Sequence, residues 1–274
     1  MDKISVCLAS YNGQLFIEQQ IKSILAQLSE NDELIVSDDC STDRTLEIIR
    51  SFNDSRIKIL SGIRYASPIR NFENALKHAT GDIIFLSDQD DVWLPNKVKV
   101  MASYFKEYDV VVSNCSIVDQ ELNVIKEKFF FSGNDRKGFI NNLYDNHYLG
   151  CCMAFKKEVL DTVLPFPKKI AMHDIWIGLC AEVFYRSIAV DDVLLLYRRH
   201  GGNASPTSEK SSASLCVKLW YRLYFPMDIR FGSILSQEKI FLQRWYGCCT
   251  KQTPLPTSCR VFMCSIPWRA VWPF

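Results

Sequence analysis

Apolar positions in the first 115 residues alternate between short continuous runs and stripes at helical spacing. Ile4 to Ala9 reads as a buried strand, and Ile17, Ile21, Ile24, Leu25 and Leu28 then share one helical face. Leu34-Ile35-Val36 is the next strand. Ser41, Thr42 and Asp43 offer caps to a helix carrying Leu46, Ile49 and Phe52. Ile57 to Leu60 forms a third strand, and Ile69, Phe72, Leu76 and Ala79 a helix that ends near Gly81. Ile83 to Leu86 is the fourth strand, Pro95 opens a helix with Val98, Met101 and Phe105, and Asp109 to Ser113 is the fifth strand. This βαβα rhythm predicts a mainly parallel sheet with helices on both faces.

Beyond residue 115 the rhythm loosens. The pattern predicts a hairpin over 119–131, a short helix over 137–144, a strand over 148–155, a helix over 172–184 and one or two strands over 188–198. A loop rich in Gly, Ser and Pro follows at 201–214.

With 274 residues and 48% of them hydrophobic, the chain can bury a sizeable core. A net charge of +1 excludes a generally basic nucleic-acid binder. The charge is unevenly spread. From Cys216 to Phe274 eight Lys/Arg stand against Asp228 and Glu238, so this stretch is +6 and residues 1–215 are −5. The same stretch holds Trp220, Trp245, Trp268 and Trp272, a combination suited to an anionic membrane surface. The apolar run at the N-terminus is too short for a signal peptide or a span, which predicts a cytoplasmic protein, peripheral on the inner face of the membrane. The 11 cysteines are scattered and odd in number, as expected of a reducing compartment. Cys248, Cys249, Cys259 and Cys264 match no common zinc spacing.

The chemistry concentrates where strands end. Ile83-Ile84-Phe85-Leu86 runs into Ser87-Asp88-Gln89-Asp90-Asp91, three acids within four positions. Acids this close repel one another unless a cation sits among them, and oxygen ligands on a short turn suit Mg²⁺ or Mn²⁺. The first strand ends in Ala9-Ser10-Tyr11-Asn12-Gly13 and the second in Ser37-Asp38-Asp39-Cys40-Ser41. In an open parallel sheet, ligands bind beyond the carboxyl ends of the strands, so these three turns are expected at one rim.

In order and spacing, these three segments resemble the signatures of family 2 glycosyltransferases, over about residues 3–205. The wording Ser-Asp-Gln-Asp-Asp-Val-Trp is similar to bacterial enzymes that add rhamnose or another hexose to surface polysaccharides such as O-antigen or capsule. The resemblance implies an α/β fold of the GT-A type over residues 1–205, followed by a basic, Trp-containing extension over 206–274. It implies that Ala9 and Tyr11 flank a nucleobase, and that Asp39 accepts a hydrogen bond from a pyrimidine N–H, with Asp38 structural. Asp88 and Asp90 become the metal-side acids, and Asp91 either shares the ion or caps the following turn.

The same resemblance makes Asp174, in Met172-His173-Asp174-Ile175-Trp176, the general base, set where the helix dipole holds it ionised, against the plainer role of a helix cap. Arg198, Arg199 and His200 would meet the diphosphate or form a plain basic turn, and Arg70 would lie near the nucleotide. Trp176 either stacks on a sugar or packs in the core. The implied activity is inverting transfer of a hexose from a UDP- or dTDP-sugar to a hydroxyl of a lipid-linked glycan, with Mg²⁺ or Mn²⁺. The rival readings are a nucleotidyltransferase, which would want a glycine-rich basic loop after the first strand, and a non-catalytic scaffold of the same fold. Cys40 stands where the family usually has Gly or Asn, which predicts a less permissive turn.

Overall fold

A computed structural model describes residues 2–130, 148–168, 170 and 172–201. The alternating elements appear in the expected order. They are β1 (Ile4–Ser10), α1 (Ile17–Leu25), β2 (Glu33–Asp38), α2 (Thr45–Ser51), β3 (Ile57–Leu60), α3 (Pro68–Lys77), β4 (Ile83–Ser87), β5 (Val92–Trp93), α4 (Lys97–Tyr104) and β6 (Val110–Val118). There follow β7 (Val124–Lys126), a 3₁₀ turn (Gly150–Cys152), β8 (Met153–Lys156), α5 (Val159–Val163), α6 (His173–Phe184) and β9 (Ser187–Arg198).

The sheet runs β3-β2-β1-β4-β8-β6-β9-β5, with β7 paired to β6. Strands β3, β2, β1 and β4 are all parallel, as are β6 and β9. β8 enters antiparallel between β4 and β6, and β5 runs antiparallel to β9. Buried strands are what the apolar runs encode: every residue of β2, β4 and β6 is buried. The chain steps outward from β1 to β2 and β3, then returns past β1 to β4. Right-handed crossovers therefore put α1 and α2 on one face and α3 on the other. α1 buries Ile17, Gln20, Ile21 and Ile24, and α3 buries Asn71, Phe72, Glu73, Ala75 and Leu76.

Three local expectations are corrected. Gly81 is no helix cap, because α3 ends at Lys77; a side chain at Gly81 would meet the backbone of Lys3 and Ser5 at 2.6–2.7 Å, so glycine is needed for close approach to β1. Pro95 precedes α4 without opening it, because Asn96 intervenes at φ 67°. The predicted strand over 148–155 is a 3₁₀ turn followed by a shorter strand. The hairpin predicted over 119–131 starts earlier, because its first arm is β6, which ends at Val118, and its second is β7; β9 is one continuous strand. The helix predicted over 137–144, the loop after Gly201 and the extension from 206 lie outside the described residues. Among the described residues no helix is long and apolar enough to cross a membrane.

Candidate active site

The switch point of the sheet lies between β1 and β4, and a cavity of about 430 Å³ opens beside their carboxyl ends. Ala9, Tyr11, Asp39, Asp88, Asp90 and Asp174 all line it. Register explains the first five: Ser10 pairs with Asp38 across β1 and β2, and Leu8 with Ser87 across β1 and β4, so the three turns leave the sheet at one level. Because β8 runs antiparallel to β4, the 3₁₀ turn before it also arrives at this rim and brings Gly150 against Asp174.

The paired aspartates of the second turn divide their work. Asp38 accepts from the Ser10 hydroxyl at 2.9 Å and from the Ser41 N–H at 2.8 Å, so it is structural. Asp39 faces the cavity. Its Oδ1 accepts from the N–H groups of Tyr65 and Ala66, and its Oδ2 from that of Ser67 at 3.3 Å. Each carboxylate oxygen accepts two hydrogen bonds, so Oδ2 retains capacity for one further donor. The same contacts fold the loop before α3 toward Tyr11, which is 42% exposed with the Arg64 guanidinium 5.8 Å from its ring centre. Cys40 is held at φ 58°, a left-handed conformation that costs a residue with a Cβ about 1–2 kcal/mol. The restricted turn expected there is present.

Gln89 ties the first turn to the third. Its side chain accepts from the Tyr11 N–H at 2.9 Å and donates to the Tyr11 carbonyl at 3.0 Å. A side chain at Gly13 would strike the Gln89 amide oxygen at 2.3 Å, which accounts for that glycine. From behind, buried Gln20 of α1 donates to the Ser87 hydroxyl and the Asp88 carbonyl at 2.7 and 3.0 Å. The acidic turn is thus clamped on both sides.

β9 carries its last residues back to the acidic turn through its pairing with β5. The Arg198 N–H donates to Asp91 Oδ1 at 3.0 Å, and its Nε to the Asp90 carbonyl at 2.8 Å. His200 Nε2 lies 2.8 Å from Asp90 Oδ2. Asp91 is fully buried and does not line the cavity; it holds the end of β9 in place. His200 does not itself line the cavity, but its partner Asp90 does. Arg199 is held by its backbone N–H on the Val118 carbonyl and does not line the cavity. Arg70 is also placed elsewhere. It pairs with Glu73 and donates to the Phe166 and Pro167 carbonyls, while its neighbour Asn71 faces the cavity.

Asp174 sits in the first turn of α6, 9% exposed, and accepts from the N–H groups of Ile175 and Gly150 at 2.7 and 3.3 Å. Burial outweighs these donors and pushes its carboxyl up to about 6. The helix terminus therefore does not hold it low as expected, yet it remains mostly ionised at neutral pH. Trp176 is a core residue: it is buried, and its Nε1–H donates to the Val163 carbonyl at 3.0 Å. Trp93 packs on Phe85, with the ammonium of buried Lys97 4.8 Å from its ring centre.

The donor set fits a hard divalent cation. Burial, then the charges of Asp90 and Asp174, push Asp88 up to about 8, and burial with its acidic neighbours raises Asp91 well above the carboxylate range. A cation among them would relieve that repulsion. Ligand-capable atoms of Asp88, Asp91 and Cys151 lie within 4.8 Å of one another. Burial raises the Cys151 thiol, and a hard cation prefers oxygen to sulfur, so the carboxylates are the ones to hold an ion. Of these, Asp88 and Asp90 face the cavity.

Sequence reasoning missed Arg64, Asn71, Gln89 and Gly150. Gln89 stood inside a quoted motif, and Asn71 directly follows Arg70. Arg64 and Gly150 lie in irregular segments, where no periodicity marks them.

Residues 5–164 match the protein family described as Glycosyl transferase family 2. The chain is 34% identical over 167 residues to UDP-Glc:alpha-D-GlcNAc-diphosphoundecaprenol beta-1,3-glucosyltransferase WfgD of Escherichia coli, covering 60% of this chain and 64% of that protein. It is 28% identical over 246 residues to dTDP-rhamnosyl transferase RfbG of Shigella flexneri, covering 78% and 81%. Among solved structures, S. aureus TarS 1-349 in complex with UDP-GlcNAc superposes with a TM-score of 0.61 at 22% identity, covering 73% of this chain and 60% of that one. The match thus spans less than two thirds of WfgD and of the TarS chain. The fold is the GT-A type that the motifs imply.

Proposed function

The chain belongs to glycosyl transferase family 2, and from that premise we propose that it is an inverting hexosyltransferase. It takes a neutral hexose from a UDP- or dTDP-sugar and places it on a hydroxyl of a lipid-linked glycan. The observation that carries this reading is the convergence of Asp39, Asp88, Asp90 and Asp174 on one cavity. Asp39 Oδ2 keeps one acceptor position for the ring N–H that uracil and thymine share, and Tyr11 offers an exposed aromatic face to the same base. Relatives named for UDP-Glc on a diphosphoundecaprenol-linked sugar and for dTDP-rhamnosyl transfer support both nucleotides and a lipid-linked acceptor.

Asp174 takes the proton of the acceptor hydroxyl while that oxygen bonds to the anomeric carbon. The bond from that carbon to the diphosphate breaks on the opposite face, so the configuration inverts. Ile175 and Gly150 fix the carboxylate by their N–H groups and leave lone pairs for that proton. Asp88 and Asp90 would hold Mg²⁺ or Mn²⁺, which when bound supplies Lewis-acid neutralisation of the departing diphosphate. His200 braces Asp90 from outside the cavity.

A panel of UDP- and dTDP-sugars with Mn²⁺ or Mg²⁺ tests the activity. One donor is expected to release its nucleoside diphosphate well above the others and above a boiled control. Uniform background release across the panel would remove the transferase reading. The +6 stretch over 216–274, with its four Trp, supports docking on an anionic bilayer. Co-sedimentation with phosphatidylglycerol vesicles at low salt and release at high salt are expected. Binding that ignores both salt and lipid charge would contradict an electrostatic attachment.

A further inference from the structure

Two residues lining the cavity are buried with polar atoms that lack a partner among the described residues. His173 is 6% exposed, and neither Nδ1 nor Nε2 is hydrogen-bonded; Asn71 is 3% exposed, and its Oδ1 is unbonded. Leaving such atoms unpaired in a folded protein is costly, so each calls for a partner. The two are held on either side of Phe72. Asn71 precedes it on α3 and is fixed by its amide N–H on the Ser10 carbonyl at 3.1 Å. His173 stacks on the Phe72 ring at 4.0 Å and 25°. Beside the imidazole the chain has Gly150, where a Cβ would come within 2.9 Å of Nε2, so a larger residue would crowd that nitrogen. The next residue after His173 is Asp174.

We propose that His173 and Asn71 read hydroxyl groups of an uncharged sugar ring on the donor nucleotide, an assignment that rests on the transferase reading above. A neutral imidazole offers one donor and one acceptor, and the Asn71 oxygen accepts. Sugar hydroxyls both donate and accept, so they can pair with either kind of atom once these side chains turn toward the ring. Burial holds His173 far into its neutral form, pushed down to about 3, so it supplies no cation for an acidic sugar. A uronate carboxylate placed here would meet the Asn71 acceptor and the carboxylate of Asp174. The site therefore favours glucose-, galactose- or rhamnose-like rings over uronic acids.

Calorimetric titration of UDP, UDP-glucose, UDP-glucuronate, dTDP and dTDP-rhamnose separates this assignment from the transferase reading. His173→Phe keeps the ring and its stacking on Phe72 but removes both nitrogens. His173→Gln restores a donor and an acceptor, and Asn71→Ala removes the unbonded oxygen. For whichever sugar nucleotide the wild type binds best, His173→Phe and Asn71→Ala are each expected to weaken binding about tenfold, with partial recovery in His173→Gln. The matching nucleoside diphosphate is expected to stay within about twofold of wild type, a loss too small for one hydrogen bond. If wild type binds UDP or dTDP while His173→Phe binds the sugar nucleotide as well as wild type does, the His173 assignment is overturned and the transferase reading stands. Tighter wild-type binding of UDP-glucuronate than of UDP-glucose overturns the uncharged class. Failure of the wild type to bind either diphosphate removes both readings together.

Discussion

Asp174→Asn is expected to abolish sugar transfer, by at least about 10²–10⁴-fold in kcat, while donor binding and thermal stability change little. The substitution keeps the shape of the side chain. The carboxamide oxygen can still accept from Ile175 or Gly150, so the first turn of α6 and the 3₁₀ turn remain joined. What disappears is the ability to take a proton. If Asp174 only capped the helix, the opposite pattern would follow, with a loss of about 1 kcal/mol in stability and normal turnover. The wild-type pH profile provides an independent check. Burial pushes this carboxyl up to about 6, and the base works only when ionised. The rate should therefore be near its plateau at pH 7.5 and fall as pH drops through about 6, toward about tenfold per pH unit on the acid side. A rate flat down to pH 4.5, or a variant with wild-type turnover, would exclude Asp174 as the base.

The depth to which the sequence could be read follows the physics of each element. β1, β2 and β4 are buried on both faces, so their apolar runs are unbroken and visible, and the stripes on α1 and α3 repeat with the helical period. Strand ends inherit that clarity, which is why Tyr11, Asp39 and Asp88 could be placed at one rim before any coordinates. Pairings between distant segments leave no such trace. Nothing local shows that β8 enters antiparallel beside β4, or that a two-residue β5 hooks β9 back over the acidic turn. Hence the meeting of His200 with Asp90, 110 residues apart, was not readable, and neither was the approach of the Phe166 and Pro167 carbonyls to Arg70. The resemblance alone implied that Arg70 lies near the nucleotide. In the structure Glu73, on the next helical turn, takes the charge of Arg70, and Asn71 lines the cavity.

Asp90→Asn should produce the second large loss, about 10²–10⁴-fold in turnover, and with it a loss of the response to added Mn²⁺ or Mg²⁺. Among the three acids of its turn, Asp90 combines cavity exposure with a backbone gripped by Arg198 and a carboxylate braced by His200. Its position is therefore set in advance, and removing its charge changes the electrostatics at the diphosphate without moving the turn. Asp91→Asn supplies the contrast. That carboxylate is fully buried, and its Oδ1 anchors the Arg198 N–H at 3.0 Å. An asparagine oxygen can still accept that N–H and brings no buried charge, so this change should leave both melting temperature and turnover near wild type. Chelation of the wild type should reproduce the Asp90→Asn defect, and readdition of Mn²⁺ should rescue the wild type but not the variant. If Asp90→Asn retained full turnover and the wild-type metal response while Asp91→Asn lost both at unchanged stability, the ion would be held by Asp88 and the buried Asp91. The cavity-facing assignment of Asp90 would then be wrong.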